Sequence, residues 1–93
     1  MPDYAVFRHV SNKKWFAVVM NIPKEKLGIS SSEIIDIVNL KSDPILIGNL
    51  RNEKGIYPAY HMNKTYWISV ALDGTVEDDK KIGYIYNAKI ILF

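Results

Sequence analysis

The chain has 93 residues, of which 48% are apolar and 24% charged, and its formal net charge is +2. This length predicts one domain with a single core, and this composition argues against wholesale disorder. No cysteine is present, which excludes disulfides, thiolate zinc sites and cysteine nucleophiles. The lack of disulfides and of a signal-peptide pattern predicts a cytoplasmic protein. The apolar runs are too short to span a bilayer, so no membrane partner is expected.

The first half of the chain predicts three strands. Runs rich in Val, Phe and Ile cover 5–10 and 15–22, and the polar residues between them are typical of a hairpin loop. Pro23 ends the second run, and Gly28 marks a turn. The β-branched segment 33–40 predicts a third strand, with a short helix capped by Ser32 as the alternative.

The next segment predicts a helix followed by two strands. Asp43 and Pro44 are typical of a helix start, because the carboxylate accepts from free N–H groups and proline loses nothing at the first helical position. Strands are predicted over 56–62 and 65–72. Pro58 places the first of these at a sheet edge or a bulge.

The last segment predicts a second helix. Thr75 and Asp78 have the spacing of a capping box, and Ile82, Ile85 and Tyr86 follow at helical spacing as its apolar stripe. The whole order is β-β-β-α-β-β-α. It predicts an α+β domain in which helices pack on one face of a single antiparallel sheet.

Catalytic motifs are absent from the sequence. There is no Gly-rich phosphate loop, no nucleophile elbow and no zinc-binding helix. The two histidines, His9 and His61, lie in separate predicted strands. We therefore expect no catalysis, no cofactor and no metal. The acidic run 77–79 is expected to begin the last helix, where the helix dipole favours acids.

The two predicted hairpins carry the candidate binding residues. Loops that combine amide, cationic and aromatic side chains can pair with phosphates and stack on a base. The mild positive charge permits nucleic-acid binding without arguing for it. The alternative is that the aromatic residues belong to the core and the lysines are only solvated. The candidates are Arg8, His9, Lys13 and Lys14 in the first hairpin and Tyr60, His61, Asn63, Lys64 and Trp67 around the last.

Several segments of the chain resemble the MmcQ/YjbR family of small bacterial proteins. The matching segments are VFRH (6–9), KWFA (14–17), VNLKSDP (38–44), PAYHMNK (58–64), WISV (67–70) and LDG (72–74). The resemblance implies a CyaY-like fold, which is an antiparallel sheet backed by helices. It also implies a DNA-binding module of the "double-wing" type with no catalytic residues. Its matching polar positions add Lys41 to the candidate site.

Three functions follow as expectations. The first is weak, salt-sensitive DNA binding with little base specificity, because a net charge near +2 allows few phosphate contacts. The second is a protein-interaction module that uses an exposed sheet face with Trp15 and Trp67. The third, suggested by the frataxin-like sheet, is a metal or small-ligand binder.

Both ends depart from the family pattern. Family members usually begin with a helix, whereas Met1 here stands close to the first strand, and the segment 87–93 replaces their usual Ser-Tyr-Glu-Leu-like continuation. A missing helix would uncover one sheet face, and large apolar patches rarely stay exposed on monomers. The sequence therefore predicts either a homodimer or a tail that covers the gap.

Overall fold

The first three strands form an antiparallel meander. A computed structural model describes residues 4–91 and 93. The strands are β1 (Tyr4–Arg8), β2 (Trp15–Pro23) and β3 (Ile34–Lys41). β3 is a strand and not the alternative helix, because it runs between two neighbours and its residues from Ile37 to Lys41 are buried from both sides. A short 3₁₀ helix (Lys24–Leu27) follows β2 and ends at Gly28, whose φ of 84° suits glycine.

The second half adds two helices and two strands. They are α1 (Pro44–Leu50), β4 (Ile56–Pro58), β5 (Trp67–Ala71) and α2 (Asp78–Ile90). The sheet order is β1-β2-β3-β5-β4, and every pair is antiparallel. β4 is an edge strand, as Pro58 predicts. Asp43 caps α1 as expected, since its Oδ1 accepts from Ile45 N at 2.9 Å. The predicted fold class and element order are confirmed.

Both faces of the sheet are covered, but by different kinds of structure. The face under the two helices packs Val38, Leu40 and Ile68 against Ile47 of α1 and Ala88 of α2. The opposite face is covered by the irregular connection 59–66 and by the 3₁₀ helix. The buried apolar residues on that side, including Ala59 of the connection, are Val18, Ile22, Ile35, Ile37, Ala59, Trp67 and Ala71.

The strand predicted over 56–62 is wrong beyond Pro58, where the chain leaves the sheet edge. Its main chain instead bonds to buried side chains: Tyr60 N donates to Ser69 Oγ at 2.9 Å, and Asn39 Nδ2 donates to Tyr60 O at 2.9 Å. The Ser69 hydroxyl in turn donates to Asn39 Oδ1. These three groups satisfy one another and hold the connection over the sheet.

The predicted capping box of α2 is also wrong. Glu77 is the N-cap residue, and no side chain caps the helix. Thr75 N instead donates to Asp73 Oδ1 at 3.0 Å in the preceding turn. Hydrogen bonds from the Thr75 side chain and main chain hold the pKa of Asp73 below its usual value. Because Thr75 is bound to the carboxylate of nearby Asp73, it does not cap α2.

The predicted apolar stripe of α2 does not face the core. Ile82, Ile85 and Tyr86, the α2 stripe, are 65%, 41% and 63% exposed. The side that meets the sheet carries fully buried Ala88 and half-buried Tyr84 instead. A small residue at the point of contact lets the helix approach the strands closely, and the larger side chains are left outside.

Glycine substitutions test this backbone. Gly83 lies inside α2, and an added Cβ would meet nothing within 4 Å. Because glycine in a helix interior is destabilising relative to alanine, Gly83→Ala should raise the free energy of unfolding by about 0.5–1 kcal/mol. Gly55 has φ +85°, and its Cβ would stand 2.5 Å from Val76 Cγ2, so Gly55→Ala should lower the free energy of unfolding. Urea unfolding measures both, and effects of equal sign would contradict this assignment.

Ser69→Ala tests the bonds that hold the connection 59–66. It removes the acceptor of the Tyr60 N–H and leaves polar groups of Asn39 and Tyr60 unpaired inside the protein. We expect the free energy of unfolding to fall by about 1–3 kcal/mol. Exposed Ser32→Ala is the matched control and should change little. Equal stability of the two variants in urea unfolding would show that these bonds hold nothing in place.

Candidate nucleic-acid interface

One end of the sheet gathers most of the predicted binding residues. β1 and β3 end there, and β2 and β5 begin there, because neighbouring strands are antiparallel. This arrangement brings residues from four separate segments together. The exposed or charged residues at this end form the hairpin cluster, which comprises Arg8, Lys13, Lys14, Trp15 and Lys41.

The β1–β2 loop is fixed by its own main chain. His9 N donates to Lys14 O at 2.8 Å, and Lys13 N donates to His9 O at 2.9 Å. Lys14 N donates to Asn12 Oδ1 at 2.9 Å, and Lys13 adopts a left-handed φ of 63°. The loop therefore presents two consecutive lysines from a hydrogen-bonded turn.

A bulge in β1–β2 sets the position of the exposed tryptophan. Phe7 pairs with Ala17 but Arg8 pairs with Trp15, so the register shifts between them. The Arg8 guanidinium lies 5.9 Å from the centre of the Trp15 ring, within the range of a cation–π contact. Trp15 is 40% exposed. Trp15 was predicted for the protein-interaction face but not among the nucleic-acid-binding residues, and the signal for the latter is its position directly after Lys13 and Lys14.

Lys41 lies beside this loop but is buried. Its Nζ donates to the main-chain oxygen of Phe93 and lies 5.6 Å from the centre of the Trp67 ring. Burial, and then the nearby charge of Lys14, lower the pKa of Lys41 below its ordinary value of 10.5. A nearby anion would act in the opposite direction, because an opposite charge favours the charged form of a lysine and raises its pKa.

The exposed cations of the hairpin cluster, Arg8, Lys13 and Lys14, form no salt bridge within the part of the chain that the structure describes. The salt bridges found there are Lys24–Glu33, Lys80–Glu53 and Lys81–Asp78. None of these involves Arg8, Lys13, Lys14 or Lys41. The hairpin end is therefore a local concentration of positive charge, although the net charge of the chain is only +2.

Two predicted site residues at this end are buried. Trp67 is 7% exposed and packs with Val18 and Ala59. His9 is also buried, and its ring lies 5.0 Å from that of Phe16. These two side chains support the hairpin cluster from below, whereas Trp15 is the aromatic side chain that reaches solvent.

The remaining predicted residues lie in the connection 59–66 and form no single group with the hairpin cluster. The rings of Tyr60 and His61 stack at 4.0 Å beside a cleft of about 630 Å³. Tyr4 and Pro23 line the same cleft, which places it toward the opposite end of the sheet.

Asn63 and Lys64 have local structural contacts. Asn63 Oδ1 accepts from Thr65 N at 2.8 Å, and the Lys64 main-chain oxygen accepts from Arg51. The Asn63 side chain therefore stabilises a turn, while the Lys64 side chain is exposed.

Residues 4–91 and 93 contain neither a cluster of metal-binding side chains nor a helix that could span a membrane. Nowhere in these ranges do three His, Asp or Glu side chains group closely enough to hold a metal ion. Neither helix has the length and apolar character needed to span a membrane, again within the described ranges.

The pKa of Lys41 tests the contact with Lys14. Lys14→Gln removes the like charge, so the pKa of Lys41 should rise toward 10.5. Carbon-13 NMR titration of the lysine Cε atoms measures it. Lys13→Gln is the control, because Lys13 is not among the causes of the shift. Equal shifts in both variants would contradict the proposed proximity of Lys14 and Lys41.

The lowered pKa of Lys41 also predicts the direction in which the free energy of unfolding changes with pH. Because the pKa of Lys41 is lowered on folding, the folded protein binds fewer protons than the unfolded chain as the pH approaches 10.5. The contribution of Lys41 to the free energy of unfolding therefore increases as pH rises through its folded pKa, and it levels off above 10.5. Lys14→Gln should flatten this dependence.

A family model and a relative from Bacillus subtilis each match most of the chain. The family model described as YjbR matches residues 1–88. The uncharacterised protein YyaQ of Bacillus subtilis (strain 168) is 48% identical over 86 residues, which cover 92% of this chain and 70% of YyaQ.

Solved structures share the fold. A crystal structure of a Pseudomonas syringae protein has a TM-score of 0.88 and 45% identity, covering 94% of this chain and 81% of that chain. A solution NMR structure from the same organism has a TM-score of 0.83 and 49% identity, covering 94% and 70%. A Deinococcus radiodurans protein with a DUF419 domain has a TM-score of 0.65 at 24% identity over 95% of this chain and 64% of that chain, so its likeness concerns the fold alone. The chain therefore belongs to the YjbR family, as its sequence motifs indicate.

Proposed function

We propose that this protein is a non-catalytic module that binds the phosphates of DNA through the hairpin cluster. The observation that supports it is the set of exposed cations without acidic partners around a partly exposed tryptophan. Arg8 ends β1, and Lys13 and Lys14 come from the hydrogen-bonded loop that follows it, so little main-chain conformational entropy is lost when they bind. Phosphate contacts of this kind position a nucleic acid without reading its sequence.

Trp15 gives the hairpin cluster a second type of contact. An exposed aromatic ring among cations can stack on an unpaired base, and such stacking contributes about 1–3 kcal/mol per base. Bases in a duplex are already stacked on one another. We therefore expect single-stranded DNA to bind more tightly than a duplex of the same length, and Trp15→Leu to reduce this preference.

The alternative functions have less support. A protein-binding sheet face with Trp15 and Trp67 conflicts with the burial of Trp67 under the connection 59–66, although Trp15 is partly exposed. A metal site at the acidic run is disfavoured because Glu77 is the N-cap residue of α2 and Asp78 pairs with Lys81 at 3.0 Å.

Fluorescence anisotropy with labelled single-stranded and duplex DNA tests the proposal. With three exposed cations, the logarithm of the binding constant should fall with the logarithm of salt with a slope of about −3 on duplex DNA. Lys13→Glu/Lys14→Glu should weaken binding at low salt by about tenfold or more, because two phosphate contacts become repulsions. Circular dichroism confirms that each variant is folded.

The matched control is Lys26→Glu/Lys54→Glu. Both of these lysines are exposed outside the hairpin cluster, and the variant has the same net charge as the hairpin variant. It should retain most of the binding. Equal losses in the two variants would show that net charge, and not the hairpin cluster, controls affinity. No binding of the folded wild-type protein at low salt would refute the proposed function itself.

A further inference from the structure

The α2 stripe is apolar and faces away from α1. On the α1 side, Tyr84 and Asn87 of α2 meet Leu46 and Leu50 of α1 around a cavity of about 250 Å³. The α2 stripe occupies other sides of the helix, and its three large side chains are exposed. Nothing within the described residues covers it.

The uncovered region extends from the α2 stripe onto the neighbouring part of the sheet. α2 lies over β2 and β3, and β1 is the next strand on the side away from α1. Ala5 and Phe7 pair with Val19 and Ala17, so they share the face that the helices cover. Both are exposed because α2 does not reach them. The described residues of the chain end do not fill this gap, since Phe93 lies against Lys41 and Tyr66 at another part of the sheet.

One row of exposed residues along α2 has an acidic residue at one end and a basic residue at the other. Asp78, Ile82, Ile85 and Lys89 are spaced at i, i+4, i+7 and i+11, which places them in one row along a helix. All four are exposed. Asp78 contacts Lys81 at 3.0 Å, yet its side chain is 89% exposed and keeps open oxygen positions for a second cation.

This row is complementary to the same row of a second α2 helix that runs in the opposite direction. In an antiparallel pair of α2 helices related by a two-fold axis, positions equally distant from the midpoint between Ile82 and Ile85 lie opposite each other. Asp78 then faces Lys89 of the second copy, and Ile82 faces its Ile85. Each contact occurs twice, as an isologous interface requires.

We propose that the α2 stripe is the interface of a homodimer. The reciprocal charges favour a second copy over an unrelated partner, because the acidic and basic ends match only when the same row is reversed. α2 has 13 residues and is about 20 Å long. Such a helix pair buries less than the roughly 800 Å² per partner of a standard interface, so Phe7 of β1 has to contribute. The expected dissociation constant is therefore micromolar.

Analytical ultracentrifugation of the 93-residue chain tests the association. Between micromolar and near-millimolar concentrations, the mass should rise from 10.7 kDa toward twice that value. Ile82→Glu places two carboxylates in the apolar centre of the interface, so it should weaken association by about a hundredfold. Ile45→Glu is the matched control, since Ile45 is 85% exposed on α1, and it should leave association unchanged.

A charge-swap experiment tests the register. Asp78→Lys alone and Lys89→Asp alone each place like charges opposite one another and should weaken association by about tenfold. Mixing the two variants restores opposite charges at both contacts of a heterodimer, so the mixture should associate as the wild-type protein does. The double variant should do the same. Circular dichroism confirms that α2 persists in each variant, because both reversals also oppose the helix dipole.

Each outcome has a defined meaning. A mass of 10.7 kDa at every concentration overturns the proposal and leaves the α2 stripe to a different partner. Association that Ile82→Glu does not weaken also overturns it. A mixture of charge-reversed variants that fails to associate overturns the antiparallel register. None of these measurements contains DNA, so their result is independent of the proposed function.

Discussion

The hydrogen bonds of Asn39 and Ser69 to the main chain of Tyr60 close the second face of the sheet. β3 and β5 are buried on both sides, but both helices lie on one side only. The other side is covered by a connection without regular structure, whose main-chain polar groups need partners once they are buried. Asn39 and Ser69 supply these partners from the middle of the two strands, so Trp67 and Ala59 become core residues.

Closing both faces moves the surfaces available for binding to the edges of the molecule. At the hairpin end, buried Trp67 and Lys41 lie beneath exposed Lys14, and the bulge at Arg8 turns Trp15 toward solvent. On the helix side, α2 spans only the middle strands and leaves β1 open. The two exposed regions differ in character, because one concentrates positive charge and the other is apolar with balanced charges at its ends. They are therefore suited to different partners.

Sequence rules succeeded for the cap of α1, although they failed for the cap of α2, where Asp73 binds Thr75 in the preceding turn. For the cap of α1 these rules needed only Asp43 and Ile45, whereas for β3 they left a helix as the alternative, and burial between two neighbouring strands decided for the strand. They also failed where a distant partner decides: residues 59–62 leave the strand because Ser69 and Asn39 bind Tyr60. The helical spacing of α2 revealed an apolar stripe, but spacing cannot tell whether that stripe meets the sheet or a second molecule. The predicted hairpins gave the candidate residues and the family motifs added Lys41, but only the fold showed which of them reach solvent.

The two proposed surfaces strengthen each other if both operate. Three exposed cations allow few phosphate contacts, so under the proposed function one protomer alone would bind DNA weakly. A two-fold dimer through α2 carries two hairpin clusters related by the same axis, as in proteins that bind paired half-sites. When one cluster has bound, the second acts at a high effective concentration, which raises affinity without any new type of contact. Dimerisation would then convert a weak, unspecific phosphate contact into binding that depends on the spacing of two sites along the DNA.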